Sequence, residues 1–442
     1  MRPFQVAQAT RPFVAGRQGL RPVIALFEYP DVFEDFYTHY GITQAAFATT
    51  WAATATHAFA ALIQRNVGEV VWYTLSLNPA IAEARHEVTG ARVRILRSSG
   101  LHRQLWRLFY LSSHSWRWRR FYDFYGTVAS YAALASPDIV RAVRRDQPRA
   151  IFVQSYVSGR FDVLLVLARA LGIPLVAWHA GGDPELYLGR RIRRRTLSRA
   201  DRFIASGRRE RERLVRDFNV PPDKVTVILT PIDIERFKPI DRGAACRLAG
   251  LDPNRTYFLY IGRLSPEKSV DALIRAFGKS LAADGKTDLL IVGDGPDRAQ
   301  LERRARETAP QRIQFPGWVS DGDELVSLYN AAACLVLCSA TEGFPTVIGE
   351  AIACGTPVIA SDVGAVDELV LNGITGWTIP PGDEAALAER LVHVSRHHDE
   401  LMTMRREARA QAEARLAPTV IAAQLQACFA AVGVRPCPAG RG

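Results

Sequence analysis

The stretch Glu342-Gly-Phe-Pro-Thr-Val-Ile-Gly-Glu350 decides how the second half of this 442-residue chain folds. Ahead of it lies the apolar run Ala332-Ala-Cys-Leu-Val-Leu-Cys338, which reads as a buried strand. Behind it come Ala351-Ile-Ala-Cys-Gly355 and a second apolar run, Pro357-Val-Ile-Ala360. The order is strand, loop with Glu342, helix with Glu350, helix end at Gly355, strand. In such a unit the loop and the helix N-terminus lie at the carboxyl edge of a parallel sheet, where ligands bind. Free N–H groups near Thr346 and Val347 favour an anion there. Two carboxylates would repel that anion, so Glu342 and Glu350 suit hydroxyls, and a sugar and a ribose both offer them in pairs. The alternative for this pair alone is a solvated loop acid and a helix acid favoured by the dipole.

Alternating strands and helices extend outward from this unit. Strands are expected over residues 257–261, 289–292, 313–315, 335–337, 358–360 and 377–379, with helices beginning near Glu267, Pro296, Asp321, Thr346 and Asp383. The first half carries its own series, with strands over 23–27, 70–74, 93–96, 150–153, 175–178 and 202–205. One long helix is expected over 43–65, with Thr43 as its cap. A polar, proline-bearing junction holds Pro231, Pro239 and Asp241-Arg-Gly243. The fold class is therefore α/β, with two Rossmann-like, doubly wound parallel-sheet domains facing a central cleft. The domains are expected at 1–238 and 239–416. Residues 1–20 and the tail from Arg435 are expected to be disordered, and a helix at about 417–433 to pack back on the first domain.

Charge is split unevenly. Residues 1–240 hold 35 Lys+Arg against 20 Asp+Glu, a net of +15; residues 241–442 hold 21 against 25, a net of −4. The first half is thus expected to face something anionic. All six cysteines lie in the second half with no CxxC pair, which reads as buried thiols of a reducing compartment. No secretory signal is visible, and the uncharged stretch 36–64 is too polar for a membrane span. The expected location is cytoplasmic.

Gly262-Arg-Leu-Ser-Pro-Glu-Lys268 follows the first strand of the second series. The glycine lets a backbone approach a ligand closely, and Arg263 and Lys268 match a diphosphate. Val292-Gly-Asp-Gly-Pro-Asp-Arg298 has Arg298 where a dinucleotide fingerprint needs its third glycine, so a nicotinamide cofactor is rejected. Gly293 and Gly295 read instead as a tight turn bordering the cleft. Asp321-Gly-Asp323 reads as a helix cap, and His393 with His397 as a solvated helix face, so no metal is expected.

Taken together, five segments resemble the donor domain of glycosyltransferase family 4, retaining enzymes of the GT-B fold. They are Gly262-Arg263 through Lys268, Val292-Gly-Asp-Gly-Pro296, Glu342-Gly-Phe-Pro345 through Glu350, Ala353-Cys-Gly-Thr-Pro357, and Ser361-Asp-Val-Gly364 with Glu368. They cover roughly residues 257–395. In the first half, residues 227–239 resemble the family's linker, with Thr230-Pro231 where an Asn-Gly pair is usual. Trp178-His179-Ala-Gly-Gly182 resembles the position of the cleft histidine, and the usual Gly-Gly loop is reduced to Gly41.

The resemblance implies a retaining glycosyltransferase using a nucleotide-diphosphate sugar as co-substrate, with no metal and no covalent nucleophile. It implies that Arg263 and Lys268 bind the donor diphosphate beside Gly262 and Gly293. It implies that Glu350 takes the ribose hydroxyls and Glu342 the transferred sugar. Backbone N–H groups from Phe344 through Pro345 and Thr346 to Val347 complete the pocket, and His179 reaches the sugar from the opposite wall. The alternative is a GT-B sugar-nucleotide-binding protein of another kind, epimerase-like or an inactive scaffold.

The segment from Trp106 to Tyr125 is aromatic at nine of its twenty residues, with arginines interleaved. It suits an anionic membrane surface, with the basic run Arg190-Arg-Ile-Arg-Arg-Arg195 adding to it. Core packing with outward-snorkelling arginines and single-stranded nucleic acid are the other readings. The expected partners are a nucleotide-sugar donor, a lipid-linked or polysaccharide acceptor of the cell envelope, and a bilayer met peripherally. Nucleic acid is not among them.

Overall fold

The computed structural model describes residues 21–28, 30–52, 54–110, 128–179, 190–281, 284–319 and 322–435. The segments 1–20 and 436–442, and most of the aromatic segment, lie outside them.

Short apolar runs closed by Gly, Pro or polar residues become buried parallel strands, because both faces of such a sheet are covered. The first sheet contains β1 (Val23–Phe27), β2 (Glu69–Ser76), β3 (Glu83–Arg85), β4 (Arg92–Arg97), β5 (Ala150–Gln154), β6 (Leu175–Trp178), β7 (Arg202–Ala205) and β8 (Val225–Val227). Its order is β3-β4-β2-β1-β5-β6-β7-β8, parallel except for the β3–β4 pair. The second sheet holds β9 (Thr256–Ile261), β10 (Thr287–Val292), β11 (Ile313–Gly317), β12 (Cys334–Leu337), β13 (Val358–Ser361) and β14 (Gly376–Ile379). Its order is β11-β10-β9-β12-β13-β14, all parallel. Strand order reverses at β1 in the first sheet and at β9 in the second. The carboxyl end of such a reversal is where sheets of this kind take their ligands. This is the two-domain GT-B architecture.

Strands β1, β6 and β7 have the bounds expected from sequence, and the other expected strands are longer by one to three residues. Two edge strands were not expected. The β3 segment is Glu-Ala-Arg, half exposed and without an apolar run, and β8 has only three residues.

The single helix expected over 43–65 is two helices. Thr43 does cap the first, Gln44–Thr49, accepting from the Ala46 N–H at 3.1 Å. The second, Ala55–Asn66, starts afresh after Thr54, whose hydroxyl bonds His57 Nδ1 at 2.7 Å. Threonines compete locally for hydrogen bonds and favour turns. The break lets Trp51 pack edge-on against Tyr37 and His57.

After β8 the chain crosses to the second domain, and the Ile232 N–H donates to the Leu416 carbonyl at 3.0 Å. The last described helix, Pro418–Ala430, returns to the first domain. Gln426 Nε2 donates to the Asn66 carbonyl at 2.8 Å, and the Phe429 ring lies 6.0 Å from that of Phe152. The five described cysteines are free and buried. Among the described residues no helix is long and apolar enough to cross a membrane.

Candidate functional site

The site grows from the second sheet's reversal point, between the loops that leave β9 and β12. The β9 loop is zipped to the β10 loop: Gly262 N–H donates to the Val292 carbonyl at 3.0 Å, and Leu264 N–H to that of Asp294 at 2.9 Å. This approach requires Gly293, whose φ is +138° and where any Cβ would overlap the Gly262 carbonyl. Arg263 stands exposed at the edge, with its carbonyl accepting from the Tyr260 hydroxyl at 2.9 Å.

The helix expected near Glu267 begins later. Pro266–Lys268 is a single 3-10 turn, Ser269 is left-handed with φ +52°, and the α-helix runs over Val270–Leu281. Lys268 therefore projects from a turn ahead of that helix. Its Nζ meets Glu342 Oε1 at 2.7 Å, and the Ser339 hydroxyl donates to the same oxygen at 2.6 Å. The Lys268 side chain is 23% exposed and that of Glu342 only 9%. Separate tasks were expected of these two residues from sequence; the structure joins them as one ion pair across the reversal point. The Ala340 N–H donating to the Glu267 carbonyl at 2.8 Å and the Cys338 thiol donating to that of Ser269 at 3.1 Å hold the two loops together.

Helix Thr346–Ala353 comes next, with Pro345 in the cap position. Pro345 has no N–H, so the donors of this stretch are those of Phe344, Thr346 and Val347. The Phe344 side chain is buried. Glu350 lies within that helix, where Tyr329 donates to its Oε2 at 2.7 Å. Burial raises the Glu350 carboxyl above its ordinary value, against the Tyr329 hydrogen bond and the Arg236 charge, which lower it.

A cavity of about 300 Å³ lies between the domains. Ser206, Arg209, Glu210 and Arg213 line it from the first domain, facing Thr341 and Glu342 from the second. Glu210 accepts from Ser206 N–H and Oγ, both at 2.6 Å, and from the Tyr156 hydroxyl at 2.7 Å. His179 comes directly after β6, buried against the Tyr156 ring at 5.3 Å. The expected histidine wall thus presents Glu210 to the cavity, with Tyr156 connecting it to His179. These lining residues carry no motif. The rule that found the second-domain loops, attention to the residues just after each strand, would have found them after β7.

Other candidates fall elsewhere. Asp323 pairs with Arg236 at 3.4 Å, and Asp321 lies outside the described residues. His393 and His397 stack at 4.2 Å, and His393 bonds Glu400 at 2.7 Å. No cluster suited to a metal ion occurs among the described residues. Arg193, expected from sequence on a basic surface, is buried against Asp162 at 3.1 Å, because a short amphipathic helix must turn one side inward.

Two family models match the chain: Glycosyl transferases group 1 over residues 248–411, and Glycosyltransferase Family 4 over residues 52–236. The D-inositol 3-phosphate glycosyltransferase of Rhodococcus jostii (strain RHA1) is 36% identical over 211 residues, covering 45% of this chain and 46% of that protein. The protein of the same name from Frankia alni is 30% identical over 283 residues, covering 58% of this chain and 68% of its own length. The chain spans about half the length of most such curated relatives that it matches. Among solved structures, Anabaena HepE in complex with UDP aligns with a TM-score of 0.67 at 17% identity, covering 92% of this chain and 99% of that one. Sucrose-phosphate synthase from Thermosynechococcus elongatus aligns with a TM-score of 0.66 at 20% identity, covering 93% and 98%. At such identities the likeness is one of fold.

Proposed function

This chain belongs to glycosyltransferase family 4, and we propose that it moves a sugar from a nucleotide-diphosphate sugar to an acceptor hydroxyl with retention of configuration. The observation that carries the reading is the Lys268–Glu342 pair at the sheet's reversal point, with Arg263 exposed on the same loop as Lys268. As the glycosidic bond breaks, charge gathers on the departing diphosphate. Prearranged cations and N–H donors stabilise that charge without reorganising. Lys268 and Arg263 supply the cations, and the N–H groups of Phe344, Thr346 and Val347 supply donors. Glu342 holds Lys268 in place and offers its carboxylate to sugar hydroxyls; Glu350 takes the ribose. His179 acts through the opposite wall. Because these cations stabilise the developing charge, activity survives chelator.

Structural neighbours of this chain were solved with UDP and with UDP-glucose, which makes a uridine donor the first to try. The acceptor expected from sequence is a lipid-linked or polysaccharide glycan, met at the cytoplasmic face of a membrane. The names of the relatives favour a second reading, a phosphorylated cyclitol. A thermal-shift screen of nucleotide diphosphates and their sugars, followed by transfer assays on both acceptor classes, tests the proposal. A protein that no nucleoside diphosphate stabilises has no donor site of this kind. Binding without transfer or isomerisation leaves a scaffold, and isomerisation of the sugar leaves an epimerase-like enzyme.

A further inference from the structure

Outside the reacting centre, the two domains meet at a charged joint. Helix Arg208–Phe218 of the first domain starts at the cavity, and its first two residues both reach into the second domain. The Arg208 N–H donates to Glu368 Oε1 at 2.9 Å, and Arg208 Nε lies 3.0 Å from the same oxygen. Arg209 grips Asp362 twice, at 2.6 Å to Oδ1 and 3.0 Å to the carbonyl, and lies 3.6 Å from Asp367. From the far side, Arg415 Nη2 lies 2.5 Å from Glu368 Oε2, and Gln411 Nε2 donates to the Glu368 carbonyl at 3.1 Å. Glu368 is 3% exposed. Burial by itself would raise its carboxyl, but the hydrogen bonds and charges of Arg415 and Arg208 outweigh this and hold it below the ordinary value. It is thus a buried, doubly paired carboxylate, the kind whose loss leaves charges uncompensated.

The joint is attached to the donor loop. Ala365 N–H donates to the Gly343 carbonyl at 2.9 Å. Gly364, with φ +57°, packs so closely that a Cβ would overlap the Glu342 carbonyl. A continuous path therefore runs from Arg208 and Arg209 through Glu368 and Asp362 to Gly364 and Ala365, and on to Glu342 and Lys268. The Glu368 N–H donates to the Ala365 carbonyl at 3.1 Å, and Asp362 is joined to Gly364 along the chain through Val363.

We propose that Glu368 and Arg209 are positioning residues, which fix the Glu342 loop, and through it Lys268, to the wall that the first domain presents across the cavity. The proposal rests on the reading of Lys268 and Glu342 as donor-site residues. In a well-seated joint the cavity excludes water and the acceptor meets the sugar on the face from which the diphosphate departs. In a loosened joint the nucleotide still binds the second domain, but its sugar is exposed to water.

The test uses Glu368→Gln, which keeps the shape but removes the charge and turns one of the two accepting oxygens into a donor, and Arg209→Ala, at a partly exposed side chain. The readout is the ratio of donor hydrolysis to transfer, which does not depend on how much protein is correctly folded. Both variants should raise this ratio and lower the transfer kcat about tenfold or more, since a misplacement near 1 Å can cost on the order of a hundredfold. Nucleoside diphosphate affinity by calorimetry should stay within about twofold, well inside the ~1.4 kcal/mol that marks a tenfold change. Small-angle scattering gives a readout free of activity: each variant should have a larger radius of gyration than wild type. A hydrolysis-to-transfer ratio unchanged from wild type, or an unchanged radius, overturns the assignment. A wild type that neither transfers nor hydrolyses any donor, while its variants still expand, sinks the functional reading and leaves the joint standing.

Discussion

The two sheets share one design and use their carboxyl edges in opposite ways. At the first reversal point the charges are turned on the protein itself. Glu28, directly after β1, is 2% exposed and accepts from Tyr37 at 2.5 Å and from Thr74. Arg160 reaches across from the helix after β5, donating to the Pro30 carbonyl and lying 3.8 Å from Asp31. Glu34 accepts from Ser76 at 2.6 Å, and Asp35 from Trp106 Nε1 at 2.7 Å. At the second reversal point, a turn brings Lys268 onto Glu342, and Glu342 lines the cavity between the domains. A reversal point provides a place for a ligand, while the side chains after each strand decide whether it is filled from within or left for a substrate.

The largest effect that separates the two edges should come from Lys268→Ala. If the second edge is the reacting one, the transfer rate falls on the order of 10²–10³-fold, as when one prearranged donor is lost from an oxyanion site. Near wild-type turnover in a folded Lys268→Ala, Arg263→Ala double variant would break the comparison outright.

The first edge should instead reveal itself in stability against pH. Burial pushes the Glu28 carboxyl up from 4.5 to about 7, against hydrogen bonds from Thr74 and Tyr37 and the charge of Arg160. The unfolded chain loses this proton near the lower value and the folded protein near the higher. The folded state therefore holds the extra proton in between, and stability falls as pH rises from 4.5 towards 7. At about 1.4 kcal/mol per pH unit this amounts to roughly 3 kcal/mol. His57 and His102, lowered by burial to about 3 and about 4, act with the opposite sign. The Glu28 slope is accordingly read as the difference between wild type and Glu28→Gln in denaturant titrations across that range. Parallel curves would mean that Glu28 is not the neutral acid its burial requires.

A smaller effect is expected at Glu350. Glu350→Gln should weaken nucleoside diphosphate binding by roughly 1.5–3 kcal/mol, the worth of a charged acceptor's hydrogen bond. Wild-type affinity should also fall on acidification through the raised value of its carboxyl. Calorimetry showing equal affinity in both proteins would move ribose recognition to another residue.

The smallest expected effect concerns the charge excess of the first half. Each basic residue near an anionic bilayer contributes about 1 kcal/mol, an attraction that salt screens. Flotation with anionic liposomes should be seen at low salt, be lost at high salt, and be weakened in an Arg117→Glu, Arg119→Glu, Arg120→Glu variant. Indifference to anionic lipid at low salt would take away the main support for a lipid-linked acceptor.

By itself the sequence determined where the strands lie and which loops leave them. A strand buried on both faces must be a short apolar run with abrupt polar ends, and that pattern is local. It therefore placed β6 and β7 at their observed bounds and brought the stretch from Glu342 to Glu350 to a sheet edge. Local pattern failed where a segment owed its form to distant partners. The helix expected over 43–65 is interrupted where Trp51 packs on the distant Tyr37, and β3 pairs only because β4 is beside it. Only the tertiary structure decided which functional groups meet. Lys268 and Glu342 lie 74 residues apart, Tyr329 and Glu350 21 apart, and Arg208 and Glu368 160 apart. The first pair is made by strands ordered in space differently from their order in the chain, and the last by the meeting of two domains. No periodicity or spacing within one segment carries that information, because a hydrogen bond is decided by distance in three dimensions.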